Sequence, residues 1–155
     1  MIQLDVVCVG RLKERHWRDA ADEYLKRLRP YATVREVEVA DRDVTRDEAR
    51  AIAEEGTDIL RAVPSSAYVV ALDSHGRTPT SEEFAAWLSA RALEGTSSIA
   101  FVLGGSAGLA SEVLERADER LSFGRITLPH QLARVVLYEQ LYRVFRITRG
   151  EPYHR

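Results

Sequence analysis

The sequence predicts an α/β fold of three layers, in which a mainly parallel sheet of five or six strands lies between helices on both faces. Short apolar runs alternate with segments of helical periodicity along the 155 residues, the order expected when crossover helices join parallel strands. Runs such as Tyr68 to Leu72 are apolar almost without interruption, which is typical of strands buried on both faces. A chain of this length that is 45% apolar supports one core, so we expect a single domain over residues 1–155.

Five segments are predicted to be strands, because each shows period-two alternation or a continuous apolar run. They are Ile2 to Val9, Val34 to Val39, Ala67 to Leu72, Ser98 to Leu103 and Phe123 to Leu128. Cys8, the single cysteine, lies in the first of them. No disulfide can therefore form within the chain, and we expect a buried thiol in a reducing compartment.

The first two helices follow from periodicity and capping. Apolar residues recur on one helical face from Trp17 to Leu28, and Pro30 ends that helix. Thr45 and Glu48 have the spacing of a capping box, so a second helix should begin there.

Three further helices complete the alternation. Thr80 or Ser81 caps the third, Ser111 opens a short fourth, and the fifth follows Pro129, from about Gln131 to Arg146.

The fifth helix is apolar on two sides. One stripe is expected against its own sheet, and the second against another subunit, so we predict a homodimer. The alternative is a helix that its own domain encloses completely. The first stripe is Leu137, Leu141, Val144 and Phe145, and the second is Leu132, Val135, Val136 and Tyr142.

Charge is distributed unevenly along the chain. Residues 121–155 contain six Arg and two acids, a net charge of +4, whereas the whole chain carries −2. This asymmetry suggests an anionic partner at one end of the molecule, although a general nucleic-acid-coating protein would be basic overall. The charged segment Asp41 to Asp47 is expected to be a solvated connector.

Several functional classes are disfavoured. The apolar runs are shorter than the ~20 residues that span a bilayer, and no signal-peptide pattern opens the sequence, so we expect a cytoplasmic protein without membrane partners. The four His and Cys8 have no paired spacing of metal ligands, so no metal is expected.

A glycine-rich turn, Gly104 to Gly108, follows the fourth strand directly. Such a turn at the carboxyl end of a parallel strand lets a nucleotide-like ligand approach backbone N–H groups. Leu103 occupies the place of the first glycine in a dinucleotide fingerprint, so that ligand class is disfavoured.

The same turn allows a second hypothesis, a serine hydrolase. Gly104 to Gly108 fits the G-x-S-x-G nucleophile elbow, and Ser106, Asp118 and His130 follow one another in the chain order of that fold.

His130 and the C-terminal tail are candidate substrate-binding groups. His130 lies at a strand-to-helix junction, where it either faces a pocket or caps the helix. Tyr153, His154 and Arg155 form an aromatic and cationic end that can stack on a base and bind a phosphate, unless the terminus is frayed. A non-enzymatic RNA-binding module, the third hypothesis, would use this tail alone.

Together, the motifs resemble the large-subunit rRNA methyltransferase H family of the SPOUT class, and the resemblance covers essentially the whole chain. The segments that carry it are VGRLKE (9–14), Glu23-Tyr24, LGGSAGL (103–109), LPHQ (128–131), RVVLYEQLYR (134–143) and RGEPYHR (149–155).

The resemblance implies a C-terminal trefoil knot, an obligate homodimer and S-adenosylmethionine as methyl donor. The implied reaction methylates N3 of a pseudouridine in 23S rRNA of assembled ribosomes. It implies catalytic or substrate-holding roles for His130, Tyr153 and Arg155. The implied cofactor contacts are Leu72, Gly104, Gly105, Phe123, Gly124, Arg125, Ile126, Thr127 and Leu128.

Overall fold

The computed structural model describes residues 1–153 and contains five strands and five helices within them. Strands and helices alternate strictly along the chain. Their bounds are β1 Ile2–Val9, α1 Arg15–Leu28, β2 Ala32–Val39, α2 Glu48–Ala62, β3 Tyr68–Arg77, α3 Ser81–Leu93, β4 Ser98–Leu103, α4 Ser111–Arg116, β5 Glu119–Leu121 and α5 His130–Thr148.

The five strands form one sheet in the order β2-β1-β4-β3-β5, and every neighbouring pair is parallel. Alternate side chains of β1 point into two cores: Leu4 and Val6 pack with α1, α3 and α5, while Val7 and Val9 pack with α2 and α4. The sheet is thus covered on both faces, as crossover connections require. The α/β class with three layers is confirmed.

The predicted fifth strand is wrong in position. The chain pairs with β3 at Glu119–Leu121, and the segment predicted as Phe123 to Leu128 is a loop. Gly124 in this segment has φ +108°, which interrupts an extended strand, and Ile126 is 80% exposed. The apolar residues of the segment therefore line a loop beyond the sheet edge.

An irregularity in β3 brings two of its residues onto one residue of β5. Leu121 pairs with both Leu72 and Arg77, and the N–H of Ser122 donates to the carbonyl of Arg77 at 2.7 Å. A Cβ added to Gly76 would lie 2.6 Å from backbone atoms of the β5 segment. Only a glycine allows the chain of β3 to pass so close to β5.

The helix starts follow local hydrogen bonds. Asp47, not Thr45, caps α2, because its carboxylate accepts the N–H of Arg50 at 3.0 Å. The predicted box is therefore wrong in its capping residue, since the Thr45 hydroxyl donates to Asp43 instead. The Thr80 cap of α3 is confirmed, with its capping box completed by Glu83.

Helix α5 packs between α1 and α3 on one face of the sheet. In its first stripe, Leu137, Leu141 and Val144 are completely buried, and Phe145 is half-buried. The second stripe, formed by Leu132, Val135, Val136 and Tyr142, is only half-buried.

Candidate active site

The carboxyl ends of three adjacent strands meet at one edge of the sheet. Ala71 pairs with Val102, so Leu72 lies beside the end of β4, and Leu72 itself pairs with Leu121 of β5. The glycine turn continues from β4, and loop 122–129 continues from β5. The structure therefore brings the three predicted cofactor-binding segments together at this edge, the usual ligand position in parallel α/β sheets.

The glycine turn folds back on itself. Gly105 and Gly108 form an isolated bridge, and the N–H of Gly108 donates to the carbonyl of Gly105 at 3.2 Å. A Cβ added to Gly105 would lie 3.1 Å from Cγ1 of Val9, at the end of β1. The backbone of Gly104 and Gly105 therefore packs closely at this edge of the sheet, and Ser106 is exposed at the tip of the turn.

Loop 122–129 presents free backbone donors. The Ser122 hydroxyl accepts the N–H of Gly124 and donates to its carbonyl, both at 3.1 Å, which fixes the first turn of the loop. Within residues 1–153, the N–H groups of Arg125, Ile126, Thr127 and Leu128 have no hydrogen-bond acceptor. These donors can bind the polar atoms of a ligand.

The side chains of the loop add apolar surface. Phe123 and Leu128 are half-buried, whereas Arg125, Ile126 and Thr127 are exposed. A cavity of about 370 Å³ adjoins Phe123 and Gly124, between residues 78–80 and α5. Leu72 and the glycine turn do not line this cavity. The cavity therefore lies beside the point where the three strand ends meet, and not at that point.

His130 is the first residue of α5 and is half-buried next to the loop. Pro129 occupies the cap position, and no side chain makes a capping hydrogen bond there, so the cap interpretation of His130 is wrong. The positive end of the α5 dipole lies at this residue, which favours negative charge on a nearby group.

Tyr153 packs on the outer side of α5. Its hydroxyl donates to Glu139 at 3.3 Å, its ring meets Tyr142 edge-on, and the Arg143 guanidinium lies 4.8 Å from the ring centroid. Burial, followed by the charge of Glu139, raises the pKa of the Tyr153 hydroxyl. The predicted partners His154 and Arg155 lie outside the described residues.

A single chain does not bring His130 and Tyr153 together. Glu139, which Tyr153 contacts, follows His130 by nine residues on the same helix. With a rise of 1.5 Å per residue, His130 and Glu139 are separated by about 13 Å along the helix axis.

The hydrolase triad is not assembled. The carboxylate of Asp118 accepts the N–H of Val69 at 2.8 Å, near the amino end of β3. Ser106 lies beyond the carboxyl end of β4, at least three strand residues farther along the sheet, or about 10 Å. A nucleophile and its acid at opposite edges cannot act together, so the geometry excludes this hypothesis.

A buried ionic cluster was not predicted from the sequence. Arg134 is 1% exposed, and its guanidinium donates to Glu38 at 2.6 Å and to the Gly10 carbonyl at 2.9 Å. The hydroxyl of Tyr138 donates to Glu36, which also accepts from Arg18 at 2.7 Å. The spacing of Arg134 and Tyr138 on the buried face of α5 was the available signal.

The same contacts correct the expected basic tail. Arg134 is buried, Arg143 pairs with Glu139 at 2.6 Å, and Arg146 pairs with Glu151. Three of the six C-terminal arginines are therefore engaged within their own chain, which reduces the positive charge that this segment offers to an anionic partner.

Metal binding and membrane insertion each need structural features of their own. Within residues 1–153, no three His, Cys, Asp or Glu side chains are grouped so that they could hold a metal ion. No helix in this part of the chain has the length and apolar character needed to cross a membrane.

Known proteins resemble this chain over its whole length. The family profile described as "Predicted SPOUT methyltransferase" matches residues 2–154. Proteins named Ribosomal RNA large subunit methyltransferase H are 48% identical in Carboxydothermus hydrogenoformans and 51% identical in Listeria monocytogenes. Each alignment covers 99% of this chain and 100% of the relative.

Solved structures share the fold. A probable methylase family protein from Haemophilus influenzae Rd KW20 superposes with a TM-score of 0.60 at 14% identity, covering 98% of this chain and 70% of that one. A probable methyltransferase from Bordetella pertussis Tohama I gives a TM-score of 0.54 at 12% identity, covering 92% and 96%. At such identities the superpositions show the fold alone.

Proposed function

We infer that this chain, which belongs to the SPOUT methyltransferase family, methylates large-subunit ribosomal RNA with S-adenosylmethionine as the methyl donor. The RNA substrate is inferred from the relatives named for that activity, to which this chain is 48–51% identical in sequence over its full length. The carboxyl edge formed by Leu72, Gly104, Gly105 and loop 122–129, which we call the cleft, supports it, because parallel α/β sheets usually bind their ligands at that edge.

We propose N3 of a pseudouridine in 23S rRNA as the methylated atom, on assembled ribosomes in the cytoplasm. The sequence motifs of the rRNA methyltransferase H family support this choice. A chain of 155 residues with net charge −2 also suits a target whose surroundings complete the binding site.

The cleft fits an adenosyl cofactor. Leu72, Phe123 and Leu128 offer half-buried apolar surface, and the free N–H groups of residues 125–128 offer donors to ring and ribose heteroatoms. Gly104 and Gly105 bring backbone to the same edge. When bound, S-adenosylmethionine supplies an electrophilic methyl group on a sulfonium, so the protein needs no covalent nucleophile.

The remaining work of the protein is to align the nucleotide and to remove the N3 proton. We assign His130 to positioning the base or accepting that proton at its imidazole. The positive end of the α5 dipole at His130 would stabilise the negative charge that develops at N3. Tyr153 stacks near the nucleotide, and Arg155 holds its phosphate, in the roles that the resemblance implies.

We propose a homodimer in which two chains build each site. Two observations support it: the second stripe of α5 is only half-buried, and about 13 Å of helix separates His130 from Glu139, the residue that Tyr153 contacts in the same chain. A second copy against α5 would cover the stripe and supply the missing tail.

We further infer the trefoil knot of the family. The pairing of Leu121 with both Leu72 and Arg77, and the close passage at Gly76, support a chain that threads past the irregular part of β3, residues 72–77.

Methyl transfer to ribosomes tests the function directly. Ribosomes from a strain lacking the enzyme should accept one methyl group per 23S rRNA, and mass spectrometry should place it on N3 of pseudouridine. Calorimetry with S-adenosylmethionine separates the enzyme from a non-enzymatic RNA-binding module. The absence of both cofactor binding and methyl transfer would contradict the proposal.

A further inference from the structure

The loop between β1 and α1 carries two cations at the edge that holds the cleft. Arg11 and Lys13 are exposed, and neither side chain has a hydrogen bond or ion pair with any residue of the range 1–153. Strand β1 neighbours β4 in the sheet, and a Cβ added to Gly105 would lie 3.1 Å from Val9, closer than ordinary van der Waals contact. The two cations therefore lie beside the glycine turn.

The residues between these cations are fixed in the interior. Leu12 is 6% exposed, packs in the core and donates its N–H to Glu38 at 3.3 Å. The N–H of Gly10 donates to Val39 at 2.8 Å, and the Gly10 carbonyl accepts from buried Arg134 at 2.9 Å. Because Leu12 points inward from an anchored loop, its neighbours Arg11 and Lys13 are held outward on a rigid backbone.

The charge balance near this loop favours an anion. Residues 10–15 contain Arg11, Lys13 and Arg15 against the single acid Glu14. From the β2–α2 loop, Asp41 adds a second acid, its carboxylate 3.9 Å from where a Cβ on Gly10 would stand, so the cations still outnumber the acids. Arg15 is 94% exposed and only 4.0 Å from Asp19, an exposed pair of small energetic weight. Arg125 adds a further exposed cation on loop 122–129. By contrast, Arg134, Arg143 and Arg146 of the C-terminal segment are already paired.

We propose that Arg11 and Lys13 bind the phosphate backbone of the RNA beside the target nucleotide and set its position over the cleft. Unpaired cations on a rigid loop bind phosphates with little loss of side-chain partners, and phosphate contacts fix the register of a nucleic acid without reading its sequence. This inference rests on the proposed function, because it takes ribosomal RNA as the ligand.

Ribosome binding by a double variant tests the role of the loop. Arg11→Ala with Lys13→Ala should weaken the Kd for 70S ribosomes about tenfold at physiological salt. It should also lower the slope of log Kd against log salt by about 1.5, the value for two lost phosphate contacts. The KM for ribosomes should rise in parallel, while kcat at saturating ribosomes and the cofactor Kd stay at wild-type values.

The matched control is Lys26→Ala with Arg61→Ala, which removes the same charge from the last turns of α1 and α2, at the opposite edge of the sheet. It should leave the Kd and the salt slope unchanged. Equal effects of both pairs would overturn the inference, because net charge alone would then explain them. Thermal unfolding of each variant verifies that it is folded.

The outcomes separate the two proposals. A double variant that binds and methylates ribosomes like wild type overturns the role of the loop and leaves the enzyme intact. Weakened binding by the variant, with no methyl transfer by wild type, supports the RNA surface and overturns the proposed reaction. Wild-type protein that does not bind ribosomes overturns both.

Discussion

Gly124 sets the course of the loop between β5 and α5 through its backbone angle. Its φ is +108°, and no heavy atom lies within 4 Å of the position where a Cβ would stand. A larger residue at this position is therefore disfavoured by the backbone angle and not by a steric clash with neighbouring atoms. Because Ser122 bonds both backbone groups of Gly124, this angle also fixes where the free donors of residues 125–128 point.

Gly124→Ala should weaken S-adenosylmethionine binding about tenfold, since a side chain at such an angle costs about 1–3 kcal/mol and the loop will shift to relieve it. Isothermal titration calorimetry measures the effect. Gly95→Ala is the matched control, because Gly95 has φ +91° and equally open surroundings at the distant end of α3. Equal losses of affinity in both variants would contradict a specific role for Gly124.

Cys8 illustrates burial without reactivity. The side chain is 2% exposed in β1, and burial, opposed by the charge of Arg134, raises the pKa of the thiol to about 12. A disulfide reagent that labels thiols should therefore leave the folded protein unmodified at about pH 8, because the thiolate is the reactive form. The same reagent should label one thiol per chain after denaturation. Rapid labelling of the native protein would show that β1 opens or that the thiol is ionised.

At the scale of elements, a cluster of charged groups joins α5 to β2, the strand at one side of the sheet. Arg134 and Tyr138 of α5 reach Glu36 and Glu38 of β2, which also bind Arg18 of α1. Arg134 additionally holds the Gly10 carbonyl, so the cluster fixes the start of α5 and the β1–α1 loop together. Removing one member of such a buried cluster leaves uncompensated charge, which is strongly destabilising.

The cluster should make stability depend on acid pH. Burial raises the pKa of Glu36, but its hydrogen bonds from Arg18 and Tyr138 outweigh burial and lower the pKa overall. A carboxyl with a lowered folded-state pKa stabilises the protein above its unfolded-state pKa, and this contribution is lost as pH falls toward the folded-state value. Wild type should therefore lose stability from about pH 5 downward.

Glu36→Gln isolates this contribution. The variant should be less stable near neutrality by about 2 kcal/mol, and the difference from wild type should shrink as the pH is lowered. Denaturant unfolding at a series of pH values measures it. Glu55, whose pKa is raised by burial, is present in both proteins and cancels in the difference. A difference that is constant with pH would contradict the assignment to Glu36.

At the scale of the whole molecule, one chain does not bring the proposed residues His130 and Tyr153 together. His130 lies at the cleft, whereas Tyr153 rests against Glu139 and Tyr142, farther along α5. The half-buried stripe of α5 offers an apolar surface for a second copy. A dimer accounts for both features with one interface.

Mixed dimers test this arrangement. His130→Ala and Tyr153→Ala should each lose methyl transfer when assayed alone. Dimers formed from an equal mixture should recover about one quarter of wild-type activity, because half are mixed and each mixed dimer has one intact site. Light scattering checks that dimers form. No recovery from verified mixed dimers would show that each chain builds its site alone.

Much of the fold was predictable because its signals are local. Alternation of apolar runs gave the class, β1 and β4 were predicted at their observed bounds, and Thr80, one of the two residues predicted to cap α3, is its cap. The glycine turn was also predicted at the end of β4, since a glycine run after a strand is a sequence pattern. Short β5 was missed, because pairing with β3 and not apolar content defines it.

By itself, the sequence determined the α/β class, the order of elements and the motifs of the methyltransferase family, because periodicity, capping residues and motif spacing act over a few neighbouring residues. The tertiary structure alone decided that Arg134 is buried against Glu38, 96 residues away, and that Arg11 and Lys13 have no ion-pair partner within residues 1–153. It also decided that His130 and Tyr153 lie apart. Composition counts every arginine alike, whereas burial and ion pairing depend on which distant segments the packed sheet brings into contact.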